Sequence, residues 1–180
     1  MALQADSGIV RAGPAHAHEL AALAAATFPL ACPPGVTAAD VRVYVDQNLS
    51  AARFTGYLAD PERTLLLARD GGGAIAYAML IHTPPADPAI ARLITRFPAT
   101  EISKFYAAPA AHGTGVGGAL MRAVLESCRA RGDAGAWLGV NQENARAQRF
   151  YRKHGFAVAG TKTLQVGAGV HDDYVMTRAV

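Results

Sequence analysis

From Val116 onward the apolar residues Val116, Ala119, Leu120, Ala123, Val124 and Cys128 recur at helical spacing, which predicts a helix with one buried face running to Arg131. The rest of the chain can be divided in the same way. Ile9–Ala12 reads as a strand, and Gly13-Pro14 turns it into a helix from Ala15 to Thr27. Pro29, Pro33 and Pro34 predict an irregular loop over Phe28–Val36. Thr37 is placed to cap a helix carrying Val41, Tyr44, Val45 and Asn48, and a shorter helix over Ala51–Leu58 ends at Asp60-Pro61. Thr64–Arg69 and Ala74–His82 are strands joined by Asp70-Gly71-Gly72-Gly73, a hairpin signal. Thr83-Pro84-Pro85 opens a long connection to Pro98, of a length that is usually functional or mobile.

A strand from Thr100 to Ala107 leads through Pro109 into a glycine-rich turn, and Ala136–Val140 is the strand after the long helix. The next helix is expected to start near Asn141 or Gln142 with Asn141 as its cap, and to stop at Gly155 with Phe156 packing back. Ala157–Val166 and His171–Arg178 form a terminal antiparallel pair around Gly167-Ala168-Gly169. The pattern is α/β with a mixed sheet. No repeat or linker divides it, so residues 1–180 read as one domain.

Composition narrows the function classes. With 51% apolar and 17% charged residues the chain has ample material for a core. A formal charge of +3 suits an anionic ligand but lacks the concentrated basic patch of a nucleic-acid binder, so no nucleic-acid partner is expected. Arg146, Arg149, Arg152 and Lys153 crowd one helix without interleaved stacking aromatics and read as a solvated face. Cys32 and Cys128 make neither a disulfide framework nor a metal pattern, and His16, His18, His82, His154 and His171 are scattered, so no metal is expected. Met1-Ala2-Leu3-Gln4-Ala5-Asp6 lacks the features of a secretory signal, and the alanine-rich run Leu20–Ala31 is too short to span a bilayer. The expectation is a cytoplasmic protein with no membrane partner.

The chemistry concentrates in Glu101–Leu120, EISKFYAAPAAHGTGVGGAL. Glycines between a strand and a helix let backbone N–H groups approach a ligand where the helix dipole favours an anion. A P-loop is excluded because no Lys follows the glycines. Gly113, Gly115 and Gly118 match the dinucleotide pattern G-x-G-x-x-G, but Asp133 precedes the next strand instead of closing it. The turn also comes too late in the chain for a two-half dinucleotide fold.

His112-Gly113-Thr114-Gly115-Val116-Gly117 resembles the Arg/Gln-x-x-Gly-x-Gly/Ala turn of the GCN5-related N-acetyltransferases (GNAT family), with His112 where that family usually has Arg or Gln. The strand Glu101–Pro109 and the segment Asn144–Phe156 are similar to that family too, in its order, over roughly the last 80 residues. The resemblance implies a mixed, mostly antiparallel sheet of about seven strands with flanking helices. It also implies acetyl-CoA as cosubstrate, and transfer of the acetyl group to a primary amine by direct attack in a ternary complex.

Residue by residue, the resemblance implies that Phe105, Tyr106 and Ala107 grip the pantetheine arm. His112, Gly113, Thr114, Gly115, Val116, Gly117 and Gly118 would hold the pyrophosphate, Asn144 would meet the pantetheine or thioester side, and Lys153 would reach a phosphate. Tyr151 falls at the family's general-acid tyrosine, although helical spacing alone would make it a core residue. Glu101 falls where members often place a carboxylate that takes the amine proton; a solvated carboxylate is the plain alternative. Ser103, on the same face by alternation, would hold a water. Asp172-Asp173 reads as a turn acid pair that could also meet a cationic substrate.

Lys104-Phe105-Tyr106, Trp137–Asn141, Gly160-Thr161 and Asp173–Met176 look most like bacterial spermidine/spermine acetyltransferases, which points to a polyamine or other small amine as acceptor. A protein amine, or an acyl-CoA-binding sensor without turnover, stays open. Homodimers are common in the family.

Overall fold

The computed structural model describes residues 8–180; the stretch read above for a secretory signal lies outside the described residues. The elements are β1 (Ile9–Arg11), α1 (Ala17–Ala31), α2 (Ala38–Asn48), α3 (Ala51–Ala59), β2 (Arg63–Asp70), β3 (Gly73–Ile81) and α4 (Pro88–Ala91). They continue with β4 (Ala99–Ala107), α5 (Val116–Arg131), β5 (Gly135–Asn141), α6 (Ala145–Lys153), β6 (Ala157–Val166) and β7 (Gly169–Ala179). The strands form one sheet in the order β1-β2-β3-β4-β5-β7-β6, as the predicted fold class requires. Every neighbouring pair is antiparallel except β4–β5.

The helices cover the two faces of this sheet. On one face Leu120, Met121, Val124, Leu125 and Cys128 of α5 pack on Leu66, Ala76, Ala78 and Leu80; Leu120, Val124 and Cys128 belong to the stripe expected from the spacing, and Met121 and Leu125 widen it. On the other, Leu20, Leu23, Ala24 and Phe28 of α1 and Phe54 of α3 cover Leu65, Leu67, Tyr77 and Met79. Each buried Leu, Val, Met or Phe among them contributes about 1.5–3 kcal/mol of transfer free energy.

Several expectations are corrected. α1 runs through Pro29 to Ala31 instead of breaking at Phe28. Pro29 lies in the last turn and forgoes the N–H bond to the Ala25 carbonyl, a cost offset by Phe28, which is buried and stacks on Tyr44 at 4.4 Å between ring centroids. Asn144, not Asn141, caps α6: its side chain accepts from the Ala147 N–H at 3.0 Å, while Asn141 Oδ1 accepts from Glu143 N–H. The connection between β3 and β4 includes α4 and a packed apolar plug. Ile94 is buried with Trp137 and Val175, and Ile90 and Leu93 flank them.

The predicted stop of α6 is present. Gly155 has φ +85°, its N–H donates to the Arg152 carbonyl, and the Phe156 N–H donates to the Tyr151 carbonyl. That is the two-bond pattern of a Schellman motif, and it anchors the residues that follow Tyr151.

Candidate active site

β4 and β5 pair only at Ala99–Glu101 against Gly135–Trp137. Beyond that point β4 continues with β3 and β5 continues with β7, so among the described residues the edge of β4 facing β5 has no strand partner from Ile102 on. Two cavities open around this split. The first, of about 270 Å³, is bounded by the split strands, Phe28 and Tyr44 of the helical face, and Lys162 and Asp173 of the terminal hairpin. The second, of about 650 Å³, runs along the glycine turn and the first turns of α5 and α6. Ala31, Phe105, Tyr106, Asn144, Ala147 and Tyr151 line both, so the two spaces meet at these six residues.

The glycine turn is built by backbone conformation. Gly113 and Gly115 have φ +78° and +86°, and an added Cβ on either would meet open space. Their presence therefore answers a backbone requirement and not a lack of room. Gly115 is the N-cap of α5, and the N–H groups of Gly113, Gly115, Gly117 and Gly118 have no hydrogen-bond partner among the described residues. Four free donors at the positive end of a 16-residue helix form an anion cradle.

Two members of the predicted set take other roles. The Thr114 hydroxyl donates to the Ala111 carbonyl at 2.6 Å, and Val116 packs against the core, so neither side chain lines the groove. His112 lines it while bonding back to the Ala107 carbonyl through Nε2 at 3.1 Å. Lys153 also lines it, joined by Arg146, which the sequence placed on a solvated face, and by Arg122, which sequence reasoning had not singled out. Arg122 was legible as the residue one helical turn beyond Gly118, beside which its guanidinium lies.

Tyr151 is 8% exposed, packed edge-on to Phe105 and Phe150. Its hydroxyl makes no protein hydrogen bond among the described residues, and burial pushes it well above the ordinary phenol range. Phe105 faces the α5 side of the sheet with Phe150, whereas Tyr106 faces the α1 side and stacks on Tyr77.

That division of faces rests on a bulge. Lys104 lies opposite Met79 and Ile102 opposite Leu80, so Ser103 is an extra residue in β4. The two-residue alternation breaks there. Glu101, Lys104 and Tyr106 end up on one side, and the expectation that Ser103 shares the face of Glu101 is corrected in favour of Lys104. Burial raises the Glu101 carboxyl above its usual range, against the opposing pull of Lys162, Lys104 and Arg63. Lys104 is lowered to about 8, first by burial and then by Arg63.

From the terminal hairpin come Lys162, His171 and Asp173, which line the same cavity. Asp173 is 5% exposed and its Oδ1 is buried without a partner, whereas its neighbour Asp172 is exposed. Burial raises the Asp173 carboxyl. The sequence offered no signal for Lys162, because its place depends on strand pairing: it stands opposite Asp173, and its ammonium lies over Gly139 of β5.

Known proteins of related sequence and shape place this arrangement. Residues 24–156 match the model of the acetyltransferase (GNAT) family. The chain is 49% identical over 162 residues to an uncharacterized N-acetyltransferase of Mycobacterium tuberculosis, covering 90% of this chain and 96% of that protein. Its fold is similar to a GCN5-related N-acetyltransferase from Rhodopseudomonas palustris, with a TM-score of 0.74, 17% identity, and coverage of 100% and 99% of the two chains. It is also similar to the PaiA N-acetyltransferase of Thermoplasma acidophilum in complex with coenzyme A, with a TM-score of 0.72, 14% identity, and coverage of 96% and 98%. The split sheet, the glycine turn and these matches agree: the chain belongs to the GNAT family of acetyltransferases.

Proposed function

We propose that the protein is an acetyl-CoA-dependent N-acetyltransferase acting on a small primary amine. The observation that carries this reading is the meeting of an anion cradle and a second, charged cavity at Tyr151. Bound acetyl-CoA supplies a thioester whose carbonyl carbon forms the new C–N bond as the C–S bond breaks.

The free N–H groups from Gly113 to Gly118 fit the pyrophosphate, and Arg122, Arg146 and Lys153 offer charge to the phosphates. The unpaired edge of β4 at Phe105–Ala107 gives the pantetheine amides a strand to pair with, and its N–H groups offer polarisation to the thioester carbonyl. Asn144 spends its side-chain oxygen on the helix cap and keeps its amide N–H₂ for the same region. Glu101 takes the amine proton, directly or through a water. Tyr151 stays protonated at neutral pH, because burial disfavours the phenolate. A thiol of ordinary pKa about 8.5 is a stronger acid than this tyrosine. Tyr151 therefore acts by hydrogen bonding to the departing sulfur, and it yields its proton only as charge builds there.

A polyamine acceptor would enter a cavity holding Lys104 and Lys162 beside Glu101 and Asp173, so a polycation finds no net attraction. The test is thiol release from acetyl-CoA with a panel of amines, spermidine and spermine included. Release with any amine supports the transferase. Coenzyme A binding with no release across the panel would favour an acyl-CoA sensor or a protein acceptor.

A further inference from the structure

The chain has three lysines, Lys104, Lys153 and Lys162, and they end in different surroundings. Lys153 lines the cofactor groove, and the Lys104 ammonium lies over the Tyr57 ring of α3, 5.8 Å from its centroid. Lys162 starts on β6 opposite Asp173 and reaches across β7 to β5. A Cβ added to Gly139 would lie 2.8 Å from the Lys162 Nζ and 3.4 Å from Asp173 Oδ2, so ammonium and carboxylate converge over the bare backbone of β5. The Trp137 ring centroid is 5.9 Å from the same Nζ. Burial raises the carboxyls of Glu101 and Asp173, and Lys162 is the largest of the charges that pull both back. One ammonium thus sits among an aromatic face and two carboxylates, and among the described residues no hydrogen bond or ion pair fixes it. Those surroundings are what a protonated acceptor amine needs, and Lys162 occupies them from within the chain.

The level along the sheet is that of the transfer. β4 and β5 run parallel and part after Glu101 and Trp137, so Gly139, two residues past Trp137, flanks the start of the split, level with Ser103. The anion cradle lies beyond the far end of β4, after Ala107. A pantetheine arm that leaves the cradle and follows the free edge of β4 back from Ala107 carries its thioester down the split toward Gly139.

We propose that the protein acetylates itself at Lys162, whose Nζ takes the acetyl group from the cosubstrate bound to the same chain. The Nζ–C bond forms as the thioester C–S bond breaks. Of the two protons that the ammonium gives up, one passes to Glu101 and the other ends on the departing sulfur. The product is a neutral amide, which withdraws one cation from a cavity that sets Lys104 and Lys162 against Glu101 and Asp173. The proposal rests on the transferase reading above and adds a modification site to it.

The test is intact-protein mass spectrometry after incubating the full chain with acetyl-CoA and no added amine, with peptide mapping to locate the acetyl group. One acetyl group per chain is expected, on Lys162 and on neither Lys104 nor Lys153. Its first-order rate should be unchanged by about tenfold dilution, because amine and thioester share one chain. Excess coenzyme A, which fills the groove without an acetyl group, should suppress it. Lys162→Arg should end it. Gly139→Ala, whose Cβ displaces the flexible end of the lysine, should slow it about tenfold or more. Acetylation of another lysine in place of Lys162, a rate that falls on dilution, or a rate that excess coenzyme A leaves unchanged overturns the proposal. Thiol release with the amine panel separates the two readings. Release while Lys162 stays unmodified removes only the self-acetylation, acetylated Lys162 without release from any amine removes only the small-amine acceptor, and the absence of both removes both.

Discussion

Glu101 and Lys104, three positions apart on one strand, face the same side of the sheet because Ser103 is an extra residue between them in the ladder with β3. This puts an acid and a base of opposite protonation demand in one cavity. If Glu101 takes the amine proton it must be ionised, and its raised pKa moves the acidic limb of the rate profile above the usual carboxylate range. If Lys104 holds an anion it must be protonated, and at about 8 that form is lost just above neutrality. The expected pH profile of kcat/KM is therefore a bell with its basic limb near 8. Lys104→Met should lack the basic limb, and a bell that survives this change would remove Lys104 from acceptor binding.

Tyr151→Phe should separate chemistry from folding. The hydroxyl makes no protein hydrogen bond among the described residues, so its loss leaves no orphaned partner there and should change stability by no more than about 0.5 kcal/mol. A hydrogen-bonding acid removed from the reaction should lower kcat on the order of 10²-fold or more. Single-turnover rates beside coenzyme A titrations measure both. Full activity in the phenylalanine variant would return Tyr151 to a packing role.

Gly115→Ala tests the cradle. A Cβ meets no atom within 4 Å, so the substitution costs backbone strain at φ +86° and nothing by collision. That strain is about 1–2 kcal/mol. The same change re-aims the free N–H groups, so coenzyme A affinity should fall alongside the denaturation midpoint. Lost stability with unchanged affinity would show that the phosphates are held elsewhere.

His82 sets an acid limit on stability. Thr100 Oγ1 donates to Asp133 Oδ2 at 2.6 Å, so His82 Nδ1 must donate to Thr100, leaving Nε2 to accept from Thr64 at 2.9 Å. Burial lowers the His82 pKa in the folded chain below its unfolded value of about 6.5. The unfolded chain thus takes up its proton first, and stability falls as pH drops through that value. His154 is lowered in the same direction. The thermal midpoint should decline from pH 7 to pH 5, less steeply in His82→Gln. An identical slope in that variant would assign the decline to other groups.

What the sequence determined by itself was local. The apolar stripe of α5, the caps at Thr37 and Gly155, the hairpin at Asp70–Gly73 and the glycine turn each depend on residues within a few positions of one another, where helical period and positive φ decide the outcome. Those signals were enough for the order of elements and the α/β class, and the resemblance carried by the glycine turn and its flanking segments implied the seven-stranded sheet and the family. The tertiary structure decided what depends on a partner strand or a packing neighbour. The bulge at Ser103 exists only against β3, and it exchanged Lys104 for Ser103 beside Glu101. Lys162 and Asp173 reach that cavity through the β6–β7 and β5–β7 registers, which neither segment encodes alone. Pro29 stays helical because Phe28 has Tyr44 to pack on, and the long β3–β4 connection is ordered because Ile94 is buried with Trp137. A strand's own residues set which of them alternate, but the partner sets the register, and register chose the charges that line the cavity.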